Sequence, residues 1–251
     1  PLIVGTSGRY EFRNKGIDIF LDALKQLAET DALDREVLVY ITVPSATTGP
    51  RKDLQAHLAD ENSPIDPKQN RFCTHYLEHP EWDQILNSIA GSVLANPSSK
   101  VKVVFVPTYL NGRDGIFDKS YYELLVGMDM TLFPSYYEPW GYTPLESTAF
   151  SVPTLTTTLA GFGLWAGSQG EHEGVTLVAR NDDNYAEAAR EIAKALLHFT
   201  KYTPQEVEIA RNAAAELSRT ALWSELYAAY EKVYSEAIER SVTRTNRAVL
   251  N

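Results

Sequence analysis

The densest gathering of reactive residue types is Phe133-Pro134-Ser135-Tyr136-Tyr137-Glu138-Pro139-Trp140-Gly141-Tyr142-Thr143-Pro144-Leu145-Glu146. It reads as the end of a strand, a loop over 135–142 and a helix opened by Pro144, since proline is favoured at the first helical position. The N–H groups around Gly141, Tyr142 and Thr143 would then stand at a helix start, where unpaired donors and the positive end of the dipole attract an anion. Glu138 precedes that helix and Glu146 is expected in its first turn. The two carboxylates can therefore reach two parts of one ligand while the helix start holds phosphate between them. The spacing is equally compatible with a plainer arrangement, in which Glu146 complements the helix dipole and Glu138 caps the loop.

A second cluster, Gly8-Arg9-Tyr10-Glu11-Phe12-Arg13-Asn14-Lys15-Gly16, follows the first apolar segment and carries three cations. Arg9, Arg13 and Lys15 at the carboxyl edge of a parallel sheet would suit a diphosphate, with Arg offering paired donors. A solvated loop in which Glu11 neutralises one charge is the alternative. There is no GxGxxG fingerprint and no GxxxxGK[ST] loop, which speaks against the usual NAD and P-loop sites. His57, His75, His79, His172 and His198 lack metal-ligand spacing, and Asp182-Asp183 reads as a loop ahead of a helix rather than a metal-binding pair. Leu159-Ala160-Gly161-Phe162-Gly163 reads as flexible backbone near the cleft or a plain tight turn.

The elements that must position these clusters alternate along the chain. Apolar segments at 2–6, 37–43, 101–106, 130–134, 153–157 and 175–178 have strand length, and stripes at 17–27, 81–95 and 121–127 have helical spacing. The stretch 44–70, rich in Pro, Asp, Asn and Lys, reads as a partly helical, mobile excursion rather than a boundary, because the alternation resumes beyond it. From 184 to 241 the pattern is helical, with Pro204 starting a new helix and Ala221-Leu222-Trp223 marking a joint. The expected fold class is α/β: a Rossmann-like, mainly parallel sheet with helices on both faces, ligands at the carboxyl ends of the strands, and a helical C-terminus. Residues 1–251 are expected to form one domain.

Composition narrows the partners. A net charge of -10 and a pI near 5.0 argue against nucleic acid or an anionic membrane surface as the main partner, so any anion site must be local. One cysteine, Cys73, allows neither an internal disulfide nor a cysteine-built metal site, and a reducing cytoplasm is the expected location. No apolar run approaches a bilayer span. The chain opens directly on a buried-strand pattern without an initiator Met, which suggests an excised domain whose N-terminal partner is missing.

Arg9-Tyr10-Glu11-Phe12 with Asn14-Lys15-Gly16, then Cys73-Thr74-His75, and above all Tyr136-Tyr137-Glu138-Pro139-Trp140-Gly141-Tyr142-Thr143-Pro144 followed by Glu146, resemble the glycogen synthases of the animal and fungal type. Ala160-Gly161-Phe162-Gly163 is similar as well. The resemblance implies the C-terminal, nucleotide-sugar-binding half of a GT-B glycosyltransferase: a retaining enzyme moving glucose from UDP-glucose to the non-reducing end of an α-1,4-glucan, without metal or other cofactor. By position it assigns Glu138 to the donor glucose near the reacting centre and Glu146 to the ribose. Arg9 and Lys15 fall to the diphosphate, and the N–H groups of Gly141, Tyr142 and Thr143 to its distal phosphate. The resemblance implies Tyr121 as the uracil platform, with Tyr122 as the register alternative, and Trp140 reads as a packing residue that lends its backbone N–H rather than a stacking platform. His75 is a weaker candidate for ligand contact.

Two departures stand out against the family. The late helix over 203–219 offers only Arg211 and Arg219, where animal and fungal members carry an arginine-rich sensor of sugar phosphate; no glucose-6-phosphate activation is expected, and the chain looks bacterial. Ser151 stands where the family usually has Gly. Two rival readings remain: a transferase using ADP-glucose or another acceptor, and a nucleotide-binding fragment inactive without the N-terminal, acceptor-side domain. Whether the full-length enzyme is a homo-oligomer is left open.

Overall fold

The computed structural model describes residues 1–249. Six strands form one all-parallel sheet: β1 (Leu2–Ser7), β2 (Val37–Thr42), β5 (Val101–Phe105), β6 (Met130–Phe133), β7 (Thr154–Thr157) and β8 (Val175–Val178). The order across the sheet is β5-β2-β1-β6-β7-β8. Counting only sheet strands in chain order, this is 3-2-1-4-5-6, the arrangement of a dinucleotide-binding Rossmann sheet. The chain winds outward in opposite directions from β1 and β6, so a crevice opens above their carboxyl ends. Both clusters singled out above lie there, one after β1 and the other after β6.

Strand alternation builds two layers of core. Leu2, Val4, Val37, Val39 and Ile41 join one cluster with α1 (Ile17–Glu29), α3 (Gln84–Ile89) and α7 (Tyr185–Phe199). Ile3 and Tyr40, one residue out of phase, face the other side and pack with Leu125, Met128 and Val152. On that side lie α4 (Tyr121–Leu125), α5 (Tyr142–Ala149) and α6 (Gly161–Ser168), with α8 (Pro204–Arg219) packed on α5. Helices thus cover both faces, as expected of parallel strands.

Several expected elements differ. The helix expected over 81–95 is broken into α3 and a short 3-10 turn on either side of it: Asp83 starts α3 by accepting from the Leu86 N–H at 2.8 Å, and Ala90 leaves the helical path at ψ 132, followed by Gly91 at φ 73. The excursion is partly helical, through α2 (Lys52–Ala59), and also holds a two-stranded antiparallel arm, β3 (Thr47–Pro50) with β4 (His75–Leu77). Its pin is buried Arg51, which donates to the carbonyls of Asn70 and Cys73 and forks onto Asp53, holding that carboxyl down at about 2. Gly161, Phe162 and Gly163, within the stretch 159–163 expected as a turn or flexible backbone, instead open α6. Ser151 has φ 60, a left-handed conformation that accounts for glycine at the matching family position.

The helical third matches its expected punctuation. Thr203 as N-cap and Glu206 form a capping box around Pro204, the first helical residue, and the break at 220–222, which overlaps the joint expected at 221–223, leads into α9 (Trp223–Val249). On α9, Trp223, Tyr227, Tyr230, Tyr234 and Ile238 recur at helical spacing and are all exposed. Among the described residues no helix is long and apolar enough to cross a membrane.

Candidate functional site

The two loops of the crevice are locked together by backbone. Tight turns carry the chain from Arg9 to Gly16, with Lys15 N–H donating to the Glu11 carbonyl at 2.9 Å and Gly16 N–H to the Arg13 carbonyl at 2.9 Å. Gly16 adopts φ 69 and lies so close to the second loop that a Cβ would fall 1.9 Å from the Pro134 carbonyl oxygen. The Tyr136 N–H donates to the Asn14 carbonyl at 2.8 Å. This contact sets Lys15 opposite Glu138, and the two form an ion pair across the switch point, with side chains 17% and 23% exposed. Sparse solvent there makes the pair stronger than one on the surface.

The Glu138 segment is braced from its other side by the β7–α6 turn. Gly161 N–H donates to the Glu138 carbonyl at 3.0 Å and Phe162 N–H to the Trp140 carbonyl at 2.6 Å. A Cβ on Gly161 would meet the Pro139 carbonyl at 2.2 Å, so that glycine serves close approach. The Trp140 ring packs on Phe162 and Trp165, at 6.2 and 5.6 Å between centroids, and is a packing residue as expected. Gly141, buried at φ 108, turns the chain into α5. The N–H groups of Gly141, Tyr142 and Thr143 find no acceptor among the described residues and lie at the positive end of α5.

The helix begins at Tyr142, not Pro144, so Pro144 is its third residue and Glu146 its fifth. A missing N–H costs nothing at the third position, where it would have had no partner within the helix. Glu146 therefore stands beyond the first turn, where the dipole is felt little. Glu138 binds Lys15 rather than capping backbone, so neither carboxylate does what the plainer arrangement required.

A cleft of about 360 Å³ runs from this point toward β5, lined among others by Ser7, Arg9, Tyr109, Tyr121, Thr143 and Glu146. The α4 capping box of Ser120 and Glu123 aims Tyr121 inward, where its hydroxyl bonds Ser7 Oγ at 2.8 Å. Burial pushes that phenol up to about 12, so it stays protonated at neutral pH. Tyr122 instead stacks on Phe150, 5.0 Å between centroids. Arg9 is at the rim, 78% exposed and paired with Glu11 at 3.0 Å, the bland pairing the sequence allowed. An ion pair so exposed contributes little and leaves the guanidinium free to turn toward an anion.

His75 has both ring nitrogens engaged within the protein. It is buried, its Nε2–H donates to the Asp114 carbonyl at 3.0 Å, and Nδ1 lies 2.9 Å from the Thr74 hydroxyl. Since a carbonyl can only accept, the proton belongs on Nε2, and the ring ties the arm to the loop over 108–120. Among the described residues no group of three or more His, Cys, Asp and Glu could hold a metal ion. Sequence reasoning missed Ser7, Tyr109 and Arg180, and their common signal is position: each lies at or just past the carboxyl end of a sheet strand.

The fold is shared with glycosyltransferases of known structure. A glycosyltransferase from Rickettsia africae aligns over 94% of this chain and 48% of its own length with TM-score 0.54 at 16% identity. The pneumococcal O-GlcNAc transferase solved with UDP and GlcNAc aligns over 95% and 36% with TM-score 0.52 at 12% identity. A family model described as glycogen synthase matches residues 62–248, and the chain belongs to the glycogen synthase family. Curated relatives include the glycogen [starch] synthases of Neurospora crassa and Caenorhabditis elegans and the human liver form, each 28% identical over 94–96% of this chain. The chain spans only 42–43% of the length of those relatives.

Proposed function

We propose that this chain is the donor-binding half of a retaining glucosyltransferase that moves glucose from UDP-glucose to the non-reducing end of an α-1,4-glucan. The observation that carries the proposal is the Lys15–Glu138 pair set over the unpaired N–H groups of α5 at the switch point of a Rossmann sheet. In this reading Tyr121 stacks on the uracil, Glu146 takes the ribose hydroxyls, and Arg9, Lys15 and the start of α5 hold the diphosphate. Donation of Lys15 to the phosphate frees Glu138 to face the glucose.

The C1–O bond to the diphosphate breaks, with the electron pair staying on the phosphate oxygen. The acceptor hydroxyl bonds C1 on the same face, and its proton passes to that oxygen. The rate gain comes mainly from preorganised cations and N–H donors aimed at the charge growing on the leaving oxygen, in a site that needs no metal.

The reading includes a second, acceptor-side half that forms the other wall of the cleft. Two facts support it: the chain matches under half of its relatives, and the aromatic stripe of α9 lacks a cover among the described residues. It also includes no activation by sugar phosphate at α8, where Arg211 is committed to the carbonyls of Met128 and Ser151. The test is transfer of labelled glucose from UDP-glucose to glycogen, with the full-length enzyme and with this chain alone. The reading requires transfer by the former, its loss in Glu138→Gln, and none by the isolated chain.

A further inference from the structure

Arg180 stands just past the carboxyl end of β8, two strands away from the switch point, and is 4% exposed. Its backbone is fixed by a reciprocal bond with Thr158, whose hydroxyl accepts from Arg180 N–H at 2.9 Å and donates to its carbonyl at 3.1 Å. Its guanidinium does not form a salt bridge with any carboxylate among the described residues. Instead Nη1 donates to the Pro134 carbonyl, and the guanidinium carbon lies over the Tyr136 ring, 3.5 Å from the centroid. Arg13 approaches the same ring at 5.3 Å. Nε and Nη2 of Arg180, and Oδ1 of nearby Asp18, are buried without partners among the described residues. A buried charge left this incompletely bonded is a poor device for stability, since an apolar side chain of similar volume would avoid the desolvation cost.

What Arg180 touches is the base of the segment that carries Glu138. Pro134 is the residue against which Gly16 is pressed, and Tyr136 is the residue hydrogen-bonded to Asn14. Arg180 therefore clamps the second loop from beneath at the two points where the first loop meets it from the side. We propose that Arg180 is a positioning residue for the donor site, holding Pro134 and Tyr136 so that Glu138 stays opposite Lys15. This rests on the donor-site reading above. A planar fork that stacks and donates at once is needed, and lysine supplies only the donor.

The test uses Arg180→Lys, with Tyr136→Leu as the second variant should the first fail to melt cooperatively. Amide hydrogen exchange is read without ligand, and calorimetry with UDP-glucose is run on the wild-type and Glu138→Gln backgrounds. The proposal expects at least tenfold faster exchange at Tyr136 and Glu138, with the β2 amides unchanged. It also expects about tenfold weaker UDP-glucose binding in the wild-type background but less than twofold in Glu138→Gln. Equal losses in both backgrounds, or unchanged exchange in a chain that binds UDP-glucose, would overturn the positioning role. A wild-type chain that binds no UDP-glucose would overturn the donor-site reading itself.

Discussion

Gly16→Ala tests whether the two loops are held by direct backbone contact. Two costs add at this position. Alanine at φ 69 is forced into the left-handed region, at about 1–2 kcal/mol. Its Cβ would also sit 1.9 Å from the Pro134 oxygen, where about 3.0 Å is the closest tolerated approach, so the Pro134 backbone must move by about 1 Å. Overpacking of that kind costs about 1–3 kcal/mol. Gly91 supplies the control, because its φ of 73 is nearly the same and nothing lies within 4 Å of the point where a Cβ would stand. Gly91→Ala should therefore cost only the first amount, roughly 2–8 °C in Tm, and Gly16→Ala roughly 4–20 °C. Thermal melts by circular dichroism give the comparison. Equal losses for the two variants would refute the close approach, and with it the claim that Gly16 sets the distance between Lys15 and Glu138.

Arg9→Ala, at an exposed side chain, should lower the transfer rate of the full-length enzyme by about 10²–10³ while leaving Tm within about 2 °C; an unchanged rate would remove Arg9 from the diphosphate site. Asp53, hydrogen-bonded by Arg51, has its folded pKa depressed from 3.8 to about 2, so its contribution of about 2 kcal/mol is present above pH 4 and lost as pH falls toward 2. Urea midpoints at pH 5 and pH 3 should converge between wild type and Asp53→Asn as the pH drops, and a constant gap would contradict the assignment. Ser151→Gly should relieve the left-handed strain at φ 60 and raise stability by about 0.5–1 kcal/mol net of glycine's greater unfolded freedom, visible as a higher urea midpoint; a lower midpoint would contradict it.

Much of this organisation was legible in the sequence because period and punctuation agreed there. The β-branched run at Val37, the stripe from Ile17 to Leu27 and Pro204 after Thr203 each have one natural reading. The two loops were legible as chemistry, since Arg, Lys and Glu gathered between strand and helix patterns have few structural uses. Less legible was whatever depends on contact across the chain. Gly161 read as a turn because its sequence neighbours say nothing of the Pro139 carbonyl against which it packs. The start of α5 was misplaced because Pro144 suits both the first and third positions, and only the φ of Gly141 decides between them. Arg180 was invisible because an arginine after a strand is ordinarily a solvated residue, and its ring platform, Tyr136, is forty-four positions earlier.

The most direct test of the account is calorimetric titration of this chain with UDP and, separately, ADP, with Glu146→Gln and Arg9→Ala as controls. The account predicts saturable binding that favours UDP and weakens in both variants. Preference for ADP, or binding unaffected by either substitution, would contradict it.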